Sequence, residues 1–123
     1  MLTATAAAQS ASQSGAERQL AFRGFQIDAR ALSEEQFKRV LPAIKQQILV
    51  VESVGLRKVA LEFLRNIPLE IDPRLHGNTG VYFANGEYGE IKLQAVAFSD
   101  KQPILLHELL HGYHFKILKV DRP

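Results

Sequence analysis

Ile104-Leu105-Leu106-His107-Glu108-Leu109-Leu110-His111-Gly112-Tyr113-His114 is the stretch around which the rest of the chain reads most simply. It contains His-Glu-x-x-His inside an apolar run, with Pro103 just ahead, a residue that suits the first turn of a helix. At about 100° per residue, a helix brings His107 and His111 one turn apart and within about 40° of each other. Two imidazoles on one face can share one tetrahedral Zn²⁺. Glu108 falls on the adjoining flank, close enough to serve a water beside the ion without being a ligand itself. A general base needs that position. The bland alternative is a core helix whose histidines hydrogen-bond to backbone or carboxylates. Burying unpaired His and Glu in so apolar a run is costly, which favours the metal.

His107-Glu108-Leu109-Leu110-His111 resembles the signature of the zincin metallopeptidases. The Gly112-Tyr113-His114 that follows, with Gly80-Val81-Tyr82 upstream, is similar to an uncharacterised bacterial group of zincin-like proteins. The resemblance covers about the last third of the chain. It implies a twisted sheet packed on the motif helix, with His107 and His111 as zinc ligands. It also implies Glu108 acting as general base on a zinc-bound water, and hydrolysis of a peptide bond in a peptide or protein substrate. In that superfamily the strand just before the motif helix borders the cleft and pairs with extended substrate, which points to residues 90–97 here. An ordinary inner strand is the competing reading of those residues.

Catalytic zinc sites generally have three protein ligands. The Met-turn pattern fails here, because Ile117 stands where its third His belongs, and too few residues follow His111 for a loop and a further helix. The chain therefore reads as the N-terminal part of a metallopeptidase fold, ending before the third ligand. His114 is the in-chain candidate, since the three imidazoles share an arc of about 60°. However, His107 and His114 lie about 10.5 Å apart along the axis, a strained span for one ion. A contact to the ligands or to substrate suits His114 better. His76 and Asp121 can reach the site only through tertiary folding. Tyr113 and Tyr82 are candidates for stabilising an oxyanion, although Tyr113 lies about 240° round from His107 and both rings compete for core packing. The rival function is a metal-binding or interaction domain in which Glu108 has no catalytic task.

With 46% apolar and 23% charged residues the composition is that of a globular chain. A net charge of +2, without basic tracts, gives no support for nucleic-acid binding, and no apolar run is long enough to span a membrane. The absence of cysteine excludes disulfides and cysteine ligands. Residues 1–19 read as a disordered tail and 20–123 as a single domain. Ala6-Ala7-Ala8 and Gln9-Ser10-Ala11 look like small-residue cleavage sites, which favours a periplasmic or secreted location over a cytoplasmic one.

Upstream of the motif, Phe25, Ile27 and Ala29 alternate as a strand. Ser33 and Gln36 form a capping box, followed by an apolar face from Phe37 to Val51, a kink at Pro42 and a stop at Gly55. A second helix is expected from Arg57 to Arg65, then a strand at 69–71. A hairpin of 81–84 with 90–97 is expected next, with Ser99 or Asp100 capping the motif helix. This order predicts an α+β, zincin-like domain with helices on a small mixed or antiparallel sheet and the motif on the C-terminal helix. No Gly-x-Ser-x-Gly elbow supports a serine hydrolase.

Overall fold

Leu69-Glu70-Ile71-Asp72 and Glu90-Ile91-Lys92-Leu93-Gln94 alternate apolar and polar residues, so each strand has one face to bury. Val40, Ile44, Ile48 and Val51 recur at helical spacing and supply a stripe to cover such a face. The computed structural model, which describes residues 18–99 and 101–119, joins the two. Its elements are β1 (Gln19–Phe22), β2 (Phe25–Asp28), α1 (Glu34–Ser53), α2 (Lys58–Arg65), β3 (Leu69–Asp72), β4 (Gly80–Phe83), β5 (Glu90–Gln94) and α3 (Ile104–Lys116).

The sheet is mixed, in the order β1-β2-β3-β5-β4. β2, β3 and β5 run parallel, and antiparallel β1 and β4 close the two edges. Phe25, Ile27, Leu69, Ile71, Ile91 and Leu93 are buried on the face toward the helices. They meet α1's Val40, Ile44, Ile48 and Val51, α2's Leu64, and α3's Leu105 and Leu109 in one core. The opposite face carries Gln26, Asp28, Glu70, Asp72, Lys92 and Gln94, which retain solvent contact. Among the described residues, no helix is long and apolar enough to cross a membrane.

Local chemistry fixes the element ends. The expected capping box is present: Gln36 N–H donates to Ser33 Oγ, and Ser33 N–H to Gln36 Oε1. α1 passes through Pro42 as one helix and stops before Gly55, whose φ of +79° few other residues accept. The β1–β2 hairpin turns on Arg23 and Gly24 at φ +53° and +86°, the signs of a type I′ turn. Arg23 and Arg65 both pair with Glu52, at 2.7 and 3.0 Å, and so tie this turn to the ends of α1 and α2.

Three expectations need correction. β1 was not anticipated, and Gln19, placed in the tail from sequence, begins it. Residues 90–97 are not the sheet edge: the strand is Glu90–Gln94 and lies between β3 and β4, because β3 pairs along its far side. The edge beside the motif helix is β4. Ser99 does not cap that helix, which starts at Ile104 with Pro103 in the cap position and no side-chain cap of its own. The Ser99 hydroxyl instead accepts from Lys101 N–H, closing the turn that precedes the helix. Asp100, the other expected cap, lies outside the described residues, as do 1–17 of the expected tail.

The buried stripe of α1 gives a direct test. Ile48 is fully buried, whereas its neighbour Leu49 is 39% exposed. Ile48→Ala is expected to lower unfolding free energy by about 3 kcal/mol and Leu49→Ala by less than about 0.5 kcal/mol, measured by urea denaturation.

Candidate metal centre

Every third or fourth residue of α3 is drawn into the core: Leu105, Leu109 and Gly112 are buried. That stripe sets the rotation of the helix, and His107, His111 and Phe115 fall along the flank that faces β4 and the loop before it. Glu108 stands at the boundary and is only 9% exposed. Two glycines allow α3 to lie directly on β4. A Cβ at Gly80 would meet Glu108 Cγ and Leu93 Cδ2, each at 3.1 Å. A Cβ at Gly112 would meet Tyr82 Cε1 at 2.7 Å and Ile67 Cδ1 at 3.0 Å.

With no local cap, the start of α3 is held from a distance. Gln47, on α1 and 1% exposed, accepts from Leu105 N–H through Oε1 at 3.1 Å. Its Nε2 donates to the carbonyls of Ser99 and Gln102, at 3.1 and 2.9 Å. At the other end, Lys116 donates to the carbonyls of Ala84 and Gly86 in the β4–β5 turn.

The imidazoles of His107 and His111 converge. Their Nε2 atoms are 2.9 Å apart, and the rings stand nearly perpendicular, with centroids 4.4 Å apart. Two nitrogens each about 2.0–2.1 Å from one ion can be no more than about 4.2 Å apart, so the pair fits a shared metal. The same approach also allows an Nε2–H of one ring to donate to the other. Glu108 Oε2 lies 4.0 Å from His107 Nε2, and ligand atoms of the three residues all fall within 4.8 Å of one another. This His/Glu/His cluster can bind a metal ion.

Neighbouring residues here sit in unlike surroundings. The His107 side chain is 67% exposed and that of Glu108 12%. Burial raises the Glu108 carboxyl above its ordinary value, opposed by His107 and the backbone amide of Tyr82. Burial, with His107 and His114 nearby, lowers His111 and favours the neutral, ligating imidazole.

The site opens into a cleft. A cavity of about 360 Å³ is lined by Gly80, Val81, Tyr82, Glu108, His111 and Phe115. A second, of about 520 Å³, shares Asn78, Gly80 and Glu108 with it and adds His107. Tyr82 turns its ring to this cleft, but its hydroxyl donates to the Tyr88 carbonyl at 2.8 Å. A Cβ at Gly89, where φ is +81°, would strike that hydroxyl. Tyr113 and His114 line a separate cavity with Leu56, Ala60, Leu64 and Leu110, between α2 and α3. Neither residue lines the cleft formed by His107, Glu108 and His111, and His114 is not part of their cluster, although it lies near enough to His111 to act on its charge. His76 is exposed in its loop and outside the cluster, and Asp121 lies outside the described residues.

Sequence reasoning passed over three contributors. Phe115 continues the i, i+4 row from His107 and His111, and Gln47 is the one amide within α1's apolar stripe, so both left a readable signal. Asn78 left none beyond turn propensity. Compared with family models, curated proteins and solved structures, the chain matches none of them.

Gly112 tests the helix–strand approach. In a free helix Gly→Ala gains about 0.5–1 kcal/mol. Here the new methyl meets a Tyr82 ring that its own hydroxyl bond holds in place. Gly112→Ala is therefore expected to destabilise the fold by about 1–3 kcal/mol in urea denaturation, the ordinary cost of overpacking.

Proposed function

We propose that the chain is a zincin-like metallohydrolase domain acting on peptide or protein substrates, with His107 and His111 holding Zn²⁺ and Glu108 as general base. The observation that carries this reading is the 2.9 Å convergence of two imidazole nitrogens beside a nearly buried carboxylate, at the open edge of a sheet. Zinc is the preferred ion because imidazole ligands and hydrolytic chemistry suit it. When bound, such an ion supplies Lewis-acid polarisation of a carbonyl and acidifies water.

Glu108 moves the proton. Burial makes its carboxylate a stronger base than a solvated one, so Oε2 accepts a proton from water and returns it to the leaving amine. The edge of β4 orients the substrate. Thr79 O accepts from Gln94 N–H, so residues 79, 81 and 83 face β5, while the backbone groups of Gly80 and Tyr82 turn outward. An extended peptide can hydrogen-bond to Gly80 and to the Tyr82 carbonyl on that edge, the Tyr82 amide being turned to Glu108, with Val81, Tyr82 and Phe115 beside its side chains.

A second reading has its own support. Among the described residues, no His or carboxylate joins His107, Glu108 and His111 in the cluster, and catalytic zinc sites generally have three protein ligands. A metal-binding domain without hydrolytic activity accounts for that deficit.

Metal analysis and turnover separate the two. Protein purified without chelator is expected to carry one zinc per chain, lost in His107→Ala and His111→Ala. Glu108→Gln is expected to keep the zinc and lose at least about 100-fold in cleavage of a fluorogenic peptide library. Full zinc with no cleavage by the parent protein would instead favour the second reading. A parent protein without zinc would overturn both.

Acid provides an independent check, because an imidazole must be neutral to ligate. Burial holds His111 below the ordinary imidazole range, so its contribution to zinc affinity is expected to persist to lower pH than a solvated histidine's before protonation removes it. Calorimetric titrations from pH 8 to pH 5 measure this.

A further inference from the structure

We infer that Gln47 is a positioning residue for the His107–His111 pair, acting through the first turn of α3. A helix leaves its first amides without partners inside the helix, and a side chain at the cap position usually answers one of them. α3 has Pro103 there, no side-chain cap and no acidic residue in its first turn. The bond from Leu105 N–H to Gln47 Oε1 stands in for the missing cap. The two bonds from Gln47 Nε2 hold the carbonyls of Ser99 and Gln102, which fix the approach of the chain to that turn.

His107 belongs to this turn, since its own amide donates to Pro103 O at 3.1 Å. Its side chain is 67% exposed, so packing does little to locate the ring. His111, one turn later, is carried by buried Leu109 and Gly112. One half of the pair is thus anchored in the core, and the other depends on a helix start held by a glutamine from α1. Fraying of that start would part the two nitrogens without unfolding the domain.

The inference rests on the pair taking a metal, and two readouts keep the questions apart. Gln47→Met keeps the length of the side chain and removes its hydrogen bonds. Zn²⁺ titration of the folded variant is expected to show about 10-fold weaker binding. Ile27→Val, which trims the core at β2, is expected to lower stability with unchanged affinity. If both variants bind Zn²⁺ as the parent does, Gln47 is structural only and the inference is overturned.

Amide hydrogen exchange needs no metal. The amides of Leu105 to His107 are expected to exchange at least 10-fold faster in Gln47→Met, with Leu109 to Gly112 unchanged. Uniform acceleration across α3, or none, rejects the inference even if the parent protein takes up no zinc.

Discussion

The approach of α3 to β4 is the constraint on which the candidate site depends. Helix and strand meet where neither Gly80 nor Gly112 carries a Cβ, and each missing methyl is matched by a specific neighbour: Glu108 and Leu93 at one, Tyr82 and Ile67 at the other. Because the gap closes at both points, the Glu108 carboxylate comes to rest against the sheet edge and not in open water. The rotation of the helix follows from burying Leu105 and Leu109, and the convergence of the two imidazoles follows from that rotation.

The tethers at the two ends of α3 differ in kind. Lys116 reaches two carbonyls of the nearby hairpin turn, a charge-assisted clasp at the surface. Gln47 reaches Ser99, Gln102 and Leu105 across separations of 52, 55 and 58 residues, inside the protein. A neutral amide is well suited to that task, since it both donates and accepts and carries no charge to desolvate. The motif helix is thus registered against α1 by hydrogen bonds, while its packing on β4 is steric.

Much of this was legible in the residues. Ser33 and Gln36 announced the start of α1, Gly55 its end, and the His107–His111 spacing the shared face, because each depends on neighbours a few places away. The strand edge was misread for the opposite reason. Nothing local to 90–97 says that β3 will pair along its outer side, and only that pairing moves the edge to β4. The cap of α3 was misplaced likewise: Ser99 has suitable chemistry, but the turn at Lys101 and Gln102 delays the helix, and the amide it needs comes from a distant segment. β1 went unrecognised because Leu20 and Phe22 are set among charged residues, and its hairpin turns on Arg23, a residue type seldom found at positive φ. Tyr113 and His114 line a cavity against α2 because that helix packs beside them, a contact that no local pattern announces.

A sheet that ends in an unpaired strand invites strand-by-strand growth into aggregates. Here β1 and β4 occupy the two margins, and each is only four residues long. On β4 the outward amide of Tyr82 already faces the Glu108 carboxylate, so the margin offers an incoming strand only part of its ladder. Short margins and one amide already spoken for leave little template for unwanted self-assembly.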